Sequence, residues 1–399
     1  MHCVRKIVDD IFWIGGSDRK LAKFENIFPI PRGVSYNSYI IMDEKTVLMD
    51  TVDHAISREF IENLTYVLNG RPLDYVVVNH MEPDHCAVIG DLLLRYPNTK
   101  VIGNAKTFQM INQFFEGLNY ESIVVKEGDT FDTGHHTLTF VMAPMVHWPE
   151  AMVTFDQTTG VLFSADAFGT FGALDGTIFA DEVNFDRDWL DEARRYYTNI
   201  VGKYGVQVQA VLKKAAAIDI KVICPLHGPI WREDLGYILD KYNKWSKYEP
   251  EEKGVMIAYA SMYGNTENMA NVLANTLAEK GVKNIRVYDV SHTDVSQLIS
   301  ESFKYSNIVL ASPTYNGEMY PVMKSFITDM KDLNLQNRTV ALMDNGTWGA
   351  IAGKKMSAIL SEMKNITVIE KVFSIKSALK ESQEEEFNEF ADSIIKSMW

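Results

Sequence analysis

His80, Glu82, Asp84 and His85 fall within six residues, directly after the apolar run Tyr75-Val76-Val77-Val78 and Asn79. Four metal-binding groups delivered at the carboxyl end of one strand are costly to bury unless a cation neutralises them. Glu82 sharpens the chemistry. A zinc hydrolase of similar pattern would carry histidine there, and each added carboxylate oxygen makes a site harder and better suited to iron or manganese. Three further candidates each close a hydrophobic run: His147 after Val141–Val146, Asp166 after Val161–Ala165, and His227 after Val222–Leu226. Strand ends of this kind let side chains reach a shared mouth. The full pattern is H-x-E-x-D-H, 61 residues, His, 18 residues, Asp, 60 residues, His. Taken alone, His147 or His227 would be an ordinary hydrogen-bonded histidine; the set together points to metal.

A second chemistry lies nearer the C-terminus. After Val255–Ala260 come Ser261, Met262, Tyr263, Gly264, Asn265 and Thr266, and then a helical pattern. Hydroxyls, backbone amides and a helix N-terminus converge there, which suits a phosphate held without lysine. Neither a Gly-Lys-Ser/Thr loop nor a GxGxxG fingerprint is present, so a monophosphate fits better. Two more loops follow successive strand patterns: Ser312 with Pro313, Thr314, Tyr315, Asn316 and Gly317, and Asp344 with Asn345, Gly346, Thr347, Trp348 and Gly349. Tyr315 and Trp348 could flank a flat ring while loop amides address its polar edge.

The elements that must position these groups follow from periodicity. Before residue 250, β-rich runs at 38–41, 46–49, 74–79, 100–102, 138–142, 152–155, 161–164 and 221–223 are interrupted by helical patterns at 56–68, 88–95, 105–116 and 187–215, a mixed α/β domain. The polar stretch 241–254 ends in Pro and Gly and predicts a linker near 249–254. Beyond it, strands at 255–260, 284–288, 307–312, 338–343 and 367–373 alternate with helices at 265–280, 293–304, 321–332, 353–363 and 383–397, the pattern of a doubly wound parallel sheet. The expected domains are 1–250 and 254–399.

Composition narrows the class. The 399 residues are 46% hydrophobic and 23% charged, enough for two or three cores. The net charge of −14 argues against a nucleic-acid surface or an anionic membrane. Without an eighteen-residue apolar run or a signal peptide, a soluble, cytoplasmic protein is expected. Cys3, Cys86 and Cys224 form no CxxC pair, which disfavours a disulfide framework, a zinc ribbon or a rubredoxin-type site. Cys86 is expected to be a small side chain behind the metal loop. His2, His54, His135, His136 and His292 lack partners in the pattern and are expected at the solvated surface.

The three C-terminal loops resemble flavodoxin and its ligand FMN. With the seven metal-site positions, essentially the whole chain resembles the flavodiiron proteins, or A-type flavoproteins. This implies an N-terminal metallo-β-lactamase-like αββα sandwich followed by a flavodoxin-like doubly wound parallel sheet, with a non-haem di-iron centre and FMN as cofactors. By resemblance, His80, Glu82 and His147 hold one iron, Asp84, His85 and His227 the other, and Asp166 bridges them. Charge agrees: four neutral imidazoles and three carboxylates leave two ferrous ions slightly positive, which a bridging hydroxide would cancel. Tyr196 matches a family position whose phenol lies near the irons, against the alternative of plain helix packing. Trp148 could shape the pocket wall, and Asp50 is expected to accept hydrogen bonds from the metal loop.

The resemblance implies reduction of O₂ to water and/or NO to N₂O. Two ferrous ions and one reduced FMN store the four electrons that O₂ needs, while NO needs fewer. Electrons are expected from an external donor such as rubredoxin, and a head-to-tail homodimer or dimer of dimers is carried over from the family. A zinc hydrolase fused to a flavodoxin, or an electron-transfer flavoprotein, are the alternatives. One departure stands out. Where the family often shows a Gly-x-Tyr-Gly-Trp run, this chain has Asp344, Gly346 and Thr347, and an acid beside the ring would lower the flavin potential.

Overall fold

The computed structural model describes residues 1–398, which divide into two compact units. The first comprises Met1–Tyr197 and Val206–Tyr242; the second comprises Thr198–Gly205 and the chain from Asn243 onward.

Two sheets build the first unit. One runs in the order Arg5–Val8, Ile11–Trp13, Tyr39–Met42, Thr46–Met49, Tyr75–Val77, Lys100–Gly103, Glu121–Val124; it is antiparallel up to Thr46–Met49 and parallel from there to the edge. The other runs Thr130–Asp132, Thr137–Met142, Met152–Asp156, Val161–Phe163, Val222–Cys224, with only its last pair parallel. Alternation along each strand assembles the core between them. Tyr39, Ile41, Val47, Met49, Val77 and Ile102 meet Leu138, Phe140, Met152, Val161, Phe163 and Cys224 in one buried cluster. The intervening Ile40, Leu48, Val76 and Val101 are buried as well, so both faces of the strands are covered and the sequence reads as continuous apolar runs.

Helices are set by local chemistry. Asn104 caps Ala105–Phe114 by accepting from the N–H groups of Lys106 (3.0 Å) and Thr107 (3.2 Å), and Asn69 in the left-handed region closes Ser57–Leu68. The helical pattern expected over 187–215 is not one helix. Phe185–Asp188 and Leu190–Tyr196 give way to a π-helical turn at Tyr197–Val201 and a 3₁₀ turn at Gly202–Tyr204 before Gly205–Ala215 resumes, and Thr198–Gly205 belongs to the second unit. The stretch expected to be polar linker is also largely structured: Leu235–Ser246 is helical, and the strand Glu252–Tyr259 takes in three linker residues.

His136 corrects the expectation of a solvated histidine. It is fully buried, with Nδ1 2.8 Å from Asp156 and Nε2 3.0 Å from Asp10, although the second contact is not aligned as a hydrogen bond. His2, His54, His135 and His292 are exposed. Burial alone would lower the pKa of His136, but its hydrogen bond to Asp156 and the attraction of Asp156 and Asp10 push it up to about 9. Because the folded value lies above the unfolded one, the stabilisation is complete below about pH 6.5 and is lost as pH rises through about 9. Thermal melts should therefore show this unit losing roughly 2 kcal/mol over that window, discounted for the part-exposed Asp10. His136→Gln should flatten that slope, and an unchanged slope would sink the assignment.

The second unit is a parallel sheet in the order Ile285–Asp289, Glu252–Tyr259, Tyr305–Tyr315, Arg338–Asn345, Ile366–Val368, with Phe373–Ile375 also on Arg338–Asn345. The strand expected over 367–373 is thus two short segments. One face, including Met256, Ile308, Leu310 and Leu342, packs on the helices Val295–Lys304, Pro321–Asp332 and Ala352–Leu360. The opposite face, including Ile257, Val309, Ala341 and Phe373, packs on Asn265–Glu279 and Glu384–Ser397. Right-handed crossovers leave all the loops after the strands at one edge.

Candidate metal centre and flavin-site loops

The metal loop begins where Tyr75–Val77 leaves the sheet. Asp50, itself at φ 52°, accepts the N–H groups of Asn79 (2.7 Å) and His80 (3.1 Å) and the amide of Asn79 (2.8 Å). It is the hydrogen-bond acceptor expected from the sequence. Pro83 opens a single helical turn, Pro83–Cys86, that carries Asp84 and His85, and the Cys86 thiol turns back to the Met81 carbonyl (2.9 Å). From the other sheet, left-handed residues at Met145 and Ala165 bend the chain just before His147 and Asp166, and His227 follows Val222–Cys224.

All seven residues expected from the sequence are brought together, in two groups. His80, Glu82, His147 and Asp166 form one; Asp84, His85 and His227 form the other. Asp166 faces both. Its Oδ2 lies 3.1 Å from His80 Nε2 and 3.0 Å from His147 Nε2, and its Oδ1 lies 3.1 Å from His85 Nε2 and 3.7 Å from His227 Nε2. Glu82 Oε2 is 3.0 Å from His147 and 3.3 Å from His80; Asp84 Oδ2 is 3.2 Å from His227 and 3.3 Å from His85. Every histidine presents Nε2. Donor atoms about 3 Å apart are what neighbours in one coordination shell show when each bond is about 2.1 Å.

Electrostatics fit cations. Burial opposes the charged form of Asp166, yet His80 and His85 hold it well below the usual carboxylate range. Burial likewise opposes the imidazolium of His147, but hydrogen bonds to Asp166 and Glu82 push it up to about 9. Among the described residues, no lysine or arginine pairs with Glu82, Asp84 or Asp166. Both oxygens of Asp84 and Oδ1 of Asp166 are buried without a hydrogen-bond partner. Two metal ions would take the place of the protons and satisfy these oxygens.

Three features escaped the sequence reading. Glu150 is buried; its Oε1 is 2.9 Å from His80 Nδ1 and accepts the Met81 N–H (2.8 Å), an arrangement that fixes the ring and keeps Nε2 free for metal. The Ser35 carbonyl does the same for His227 Nδ1 at 2.7 Å. Glu25 sits at the tip of the hairpin formed by Lys23–Phe24 and Phe28–Pro29, at φ 47°. Although the residue is exposed overall, its carboxyl is crowded against Glu82, and burial and that like charge push it up to about 8. An acid two residues after His147-Trp148 was the signal for Glu150; nothing in the sequence marked Glu25. Glu150→Gln should weaken metal retention on the order of ten-fold in a chelator competition while leaving the fold intact, and unchanged retention would show that Glu150 does not orient His80.

Aromatic rings line the group. Trp148 packs edge-on to His80 (5.5 Å) and His147 (6.4 Å), Phe24 edge-on to His227 (5.4 Å), and Tyr36 against both His85 and His227. Tyr196 is fully buried with its ring 5.5 Å from His227 and its hydroxyl unpartnered. Its close approach to the turn after Asp166 needs Gly169, where a Cβ would lie 3.0 Å from the Tyr196 ring and 2.9 Å from the Asp166 carbonyl.

In the second unit, the three expected loops lie at the ends of adjacent parallel strands, with Tyr259 beside Ala311 and Pro313 beside Asn345. Gly264, at φ 88°, accepts no cap of its own but donates to Ser261 Oγ (3.1 Å) and opens the helix Asn265–Glu279. Asn345 Nδ2 reaches the Thr266 hydroxyl (3.4 Å), and the Thr347 hydroxyl meets Ser377 (3.1 Å). Thr314 is engaged as an acceptor from the N–H groups of Ile351 and Ala352, and Asn316-Gly317 form the left-handed tip of a hairpin. Met262, Tyr263 (90% exposed), Tyr315 and Trp348 (96%) present apolar surface at this edge, and Gly346, where a Cβ would lie 2.2 Å from the Gly349 carbonyl oxygen, lets the chain fold closely beside Trp348. Asp344 is a correction. It is buried, with one oxygen accepting from Gly353 N–H (2.9 Å) and the other from Ser374 Oγ (2.6 Å), so its carboxylate is spent on the sheet and helix start rather than offered to a ring.

Comparison with known proteins follows the same division. Residues 34–228 match the ODP family of β-lactamases, and residues 257–390 match flavodoxin. Over 361 residues the chain is 32% identical to an Escherichia coli anaerobic nitric oxide reductase flavorubredoxin, covering 89% of this chain and 75% of that protein. The chain belongs to the flavodiiron family. A second relative, an uncharacterised protein of Methanocaldococcus jannaschii, is 31% identical over 97% of each chain. Among solved structures, rubredoxin oxygen:oxidoreductase of Desulfovibrio gigas superimposes with a TM-score of 0.92 at 27% identity, covering 99% of this flavodiiron chain and 98% of that one. The flavodiiron protein of Giardia intestinalis shares the fold, with a TM-score of 0.90 at 24% identity.

Proposed function

We propose that this chain reduces O₂ to water and/or NO to N₂O at a non-haem di-iron centre, with electrons relayed through FMN from an external donor such as rubredoxin. The observation that carries this reading is Asp166, whose two buried oxygens turn toward two separate ligand groups. In it, His80, Glu82 and His147 hold one iron, Asp84, His85 and His227 hold the other, and Asp166 joins them. Bound iron would supply open positions for a diatomic gas, and FMN would supply the further electrons. Glu82 supports iron over a zinc hydrolase by making its group harder.

The remaining roles belong to this chain's own residues. Tyr196 offers a buried phenol hydroxyl without a partner, on a ring packed against His227, suited to donate a hydrogen bond to substrate oxygen. Phe24, Tyr36 and Trp148 exclude bulk water from the histidines. In the flavin domain, Ser261–Thr266 and the start of Asn265–Glu279 receive the phosphate, while Pro313–Gly317 and Asn345–Gly349 embrace the ring between Tyr315 and Trp348. The proposed division of labour is 1–250 for iron and 254–399 for FMN. The exposed Tyr263 and Trp348 support burial of this edge in a head-to-tail homodimer or dimer of dimers, acting in the cytoplasm.

The test is anaerobic purification, assay of iron and FMN, and gas consumption on O₂ and NO electrodes with reduced rubredoxin. Iron-loaded, FMN-loaded protein that consumes neither gas would overturn the reading.

A further inference from the structure

Between the second sheet of the first unit and the helix Gly205–Ala215 lies an apolar cavity of about 60 Å³, held entirely within that unit. On the same measure a single water occupies roughly 10–15 Å³, so there is room for more than one small molecule. Its floor is formed by Val146, Ala167 and Phe168, all buried. Val146 adjoins His147, and Ala167 and Phe168 follow Asp166, so by chain connectivity the floor is contiguous with two of the proposed metal-site residues. Its other side is formed by Val211, Leu212, Ala215 and Ile218, which are only half-buried and give the cavity a mouth at the end of the helix Gly205–Ala215.

The polar groups of the lining are already committed elsewhere. Ser164 Oγ donates to the Ala167 carbonyl (2.8 Å). The Tyr242 hydroxyl accepts the Phe168 N–H (2.5 Å). Lys214 reaches past the mouth to Glu127 (2.8 Å) and the Met142 carbonyl (2.8 Å), leaving only its methylene stem as wall. Water needs two to four polar partners to occupy a cavity, and an apolar cavity without them stays dry and takes up apolar guests such as xenon. O₂ and NO are small, nearly apolar molecules that water solvates poorly, which makes them matched occupants.

We propose that this cavity is a binding site for the apolar diatomic gas, which enters past Val211, Leu212, Ala215 and Ile218 and waits against Val146, Ala167 and Phe168 beside the metal centre. The inference rests on the gas-reductase reading and adds to it where the gas is held.

The test uses iron- and FMN-loaded protein, with xenon as the probe. Xenon-pressurised crystals, and ¹²⁹Xe shifts in solution, should place xenon in the cavity. Ala215→Phe and, separately, Val211→Phe should remove that xenon while keeping the melting temperature, iron and FMN of the parent. In the same variants kcat/KM for the gas should fall on the order of ten-fold, with kcat at saturating gas unchanged. No xenon in the parent cavity overturns the proposal, as does loss of xenon in a folded variant with unchanged kcat/KM. Xenon bound by a loaded parent that turns over neither gas supports the site and overturns the gas-reductase reading instead, so the two failures are distinguishable.

Discussion

Asp166→Asn should strip the protein of stable metal binding and reduce gas consumption at least ~10²-fold, while FMN absorbance stays at the parent level. The carboxylate presents one oxygen to His80 and His147 and the other to His85 and His227. A carboxamide keeps one ligating oxygen and replaces the other with an N–H₂ donor, which cannot accept a metal and points two hydrogens at it. It also removes one of three negative charges that offset the cations. Metal analysis after gel filtration, beside O₂ and NO electrode traces, gives the result; full iron and parental turnover would sink the bridging role. Loss of iron with retained FMN is the discriminating outcome, because general unfolding would release both.

Asn265→Asp should release FMN and leave the di-iron centre loaded. Asn265 is exposed at the first position of its helix, directly after the left-handed Gly264, and aspartate has the same size. The new charge favours the helix itself, since carboxylates are stabilising at helix N-termini. Opposite a phosphate dianion it is repulsive by roughly 3 kcal/mol at short range in a partly solvated site, or about 10²-fold in Kd. Flavin titration followed by fluorescence measures it, and raising the salt concentration should recover part of the loss. Unaltered affinity would move the phosphate away from Ser261–Thr266. A thermal melt that is unchanged or slightly raised in the FMN-free protein would confirm that charge, and not damage to the helix, is responsible.

Much of the architecture was legible because its signals are local. The runs at 46–49 and 152–155 are buried on both faces, so largely apolar residues between polar turns marked them as strands. Helices such as Pro321–Asp332 announced themselves through Pro at the first position and apolar spacing. The first strands were not read, because Arg5–Val8, Ile11–Trp13 and Gly16–Asp18 are too short for alternation to show. The break at Tyr197–Gly202 was invisible for a different reason: the residues themselves are compatible with a helix, and only packing selects the wider turn. His136 looked like part of a polar turn, and it is that, but Asp10, from the turn between Arg5–Val8 and Ile11–Trp13, and Asp156, at the end of Met152–Asp156, enclose it.

For the site, the sequence by itself picked out seven candidate ligand residues, their types and their places after strands, along with three loops that the fold gathers at one edge of the second sheet. These depend on chain-local facts: which residue follows an apolar run, and which side chain can ligate. Only the tertiary structure decided that Asp166 turns one oxygen to each ligand group, that Glu150 and the Ser35 carbonyl hold His80 and His227 by their Nδ1 atoms, and that Asp344 faces Gly353 and Ser374. The same holds for the apolar cavity lined by Val146 and Phe168. Each of these is a distance between atoms whose residues are remote in the chain or whose side chains could rotate several ways. Such distances are set by strand register and by the packing of two sheets, to which hydrophobic patterning along a single strand is blind.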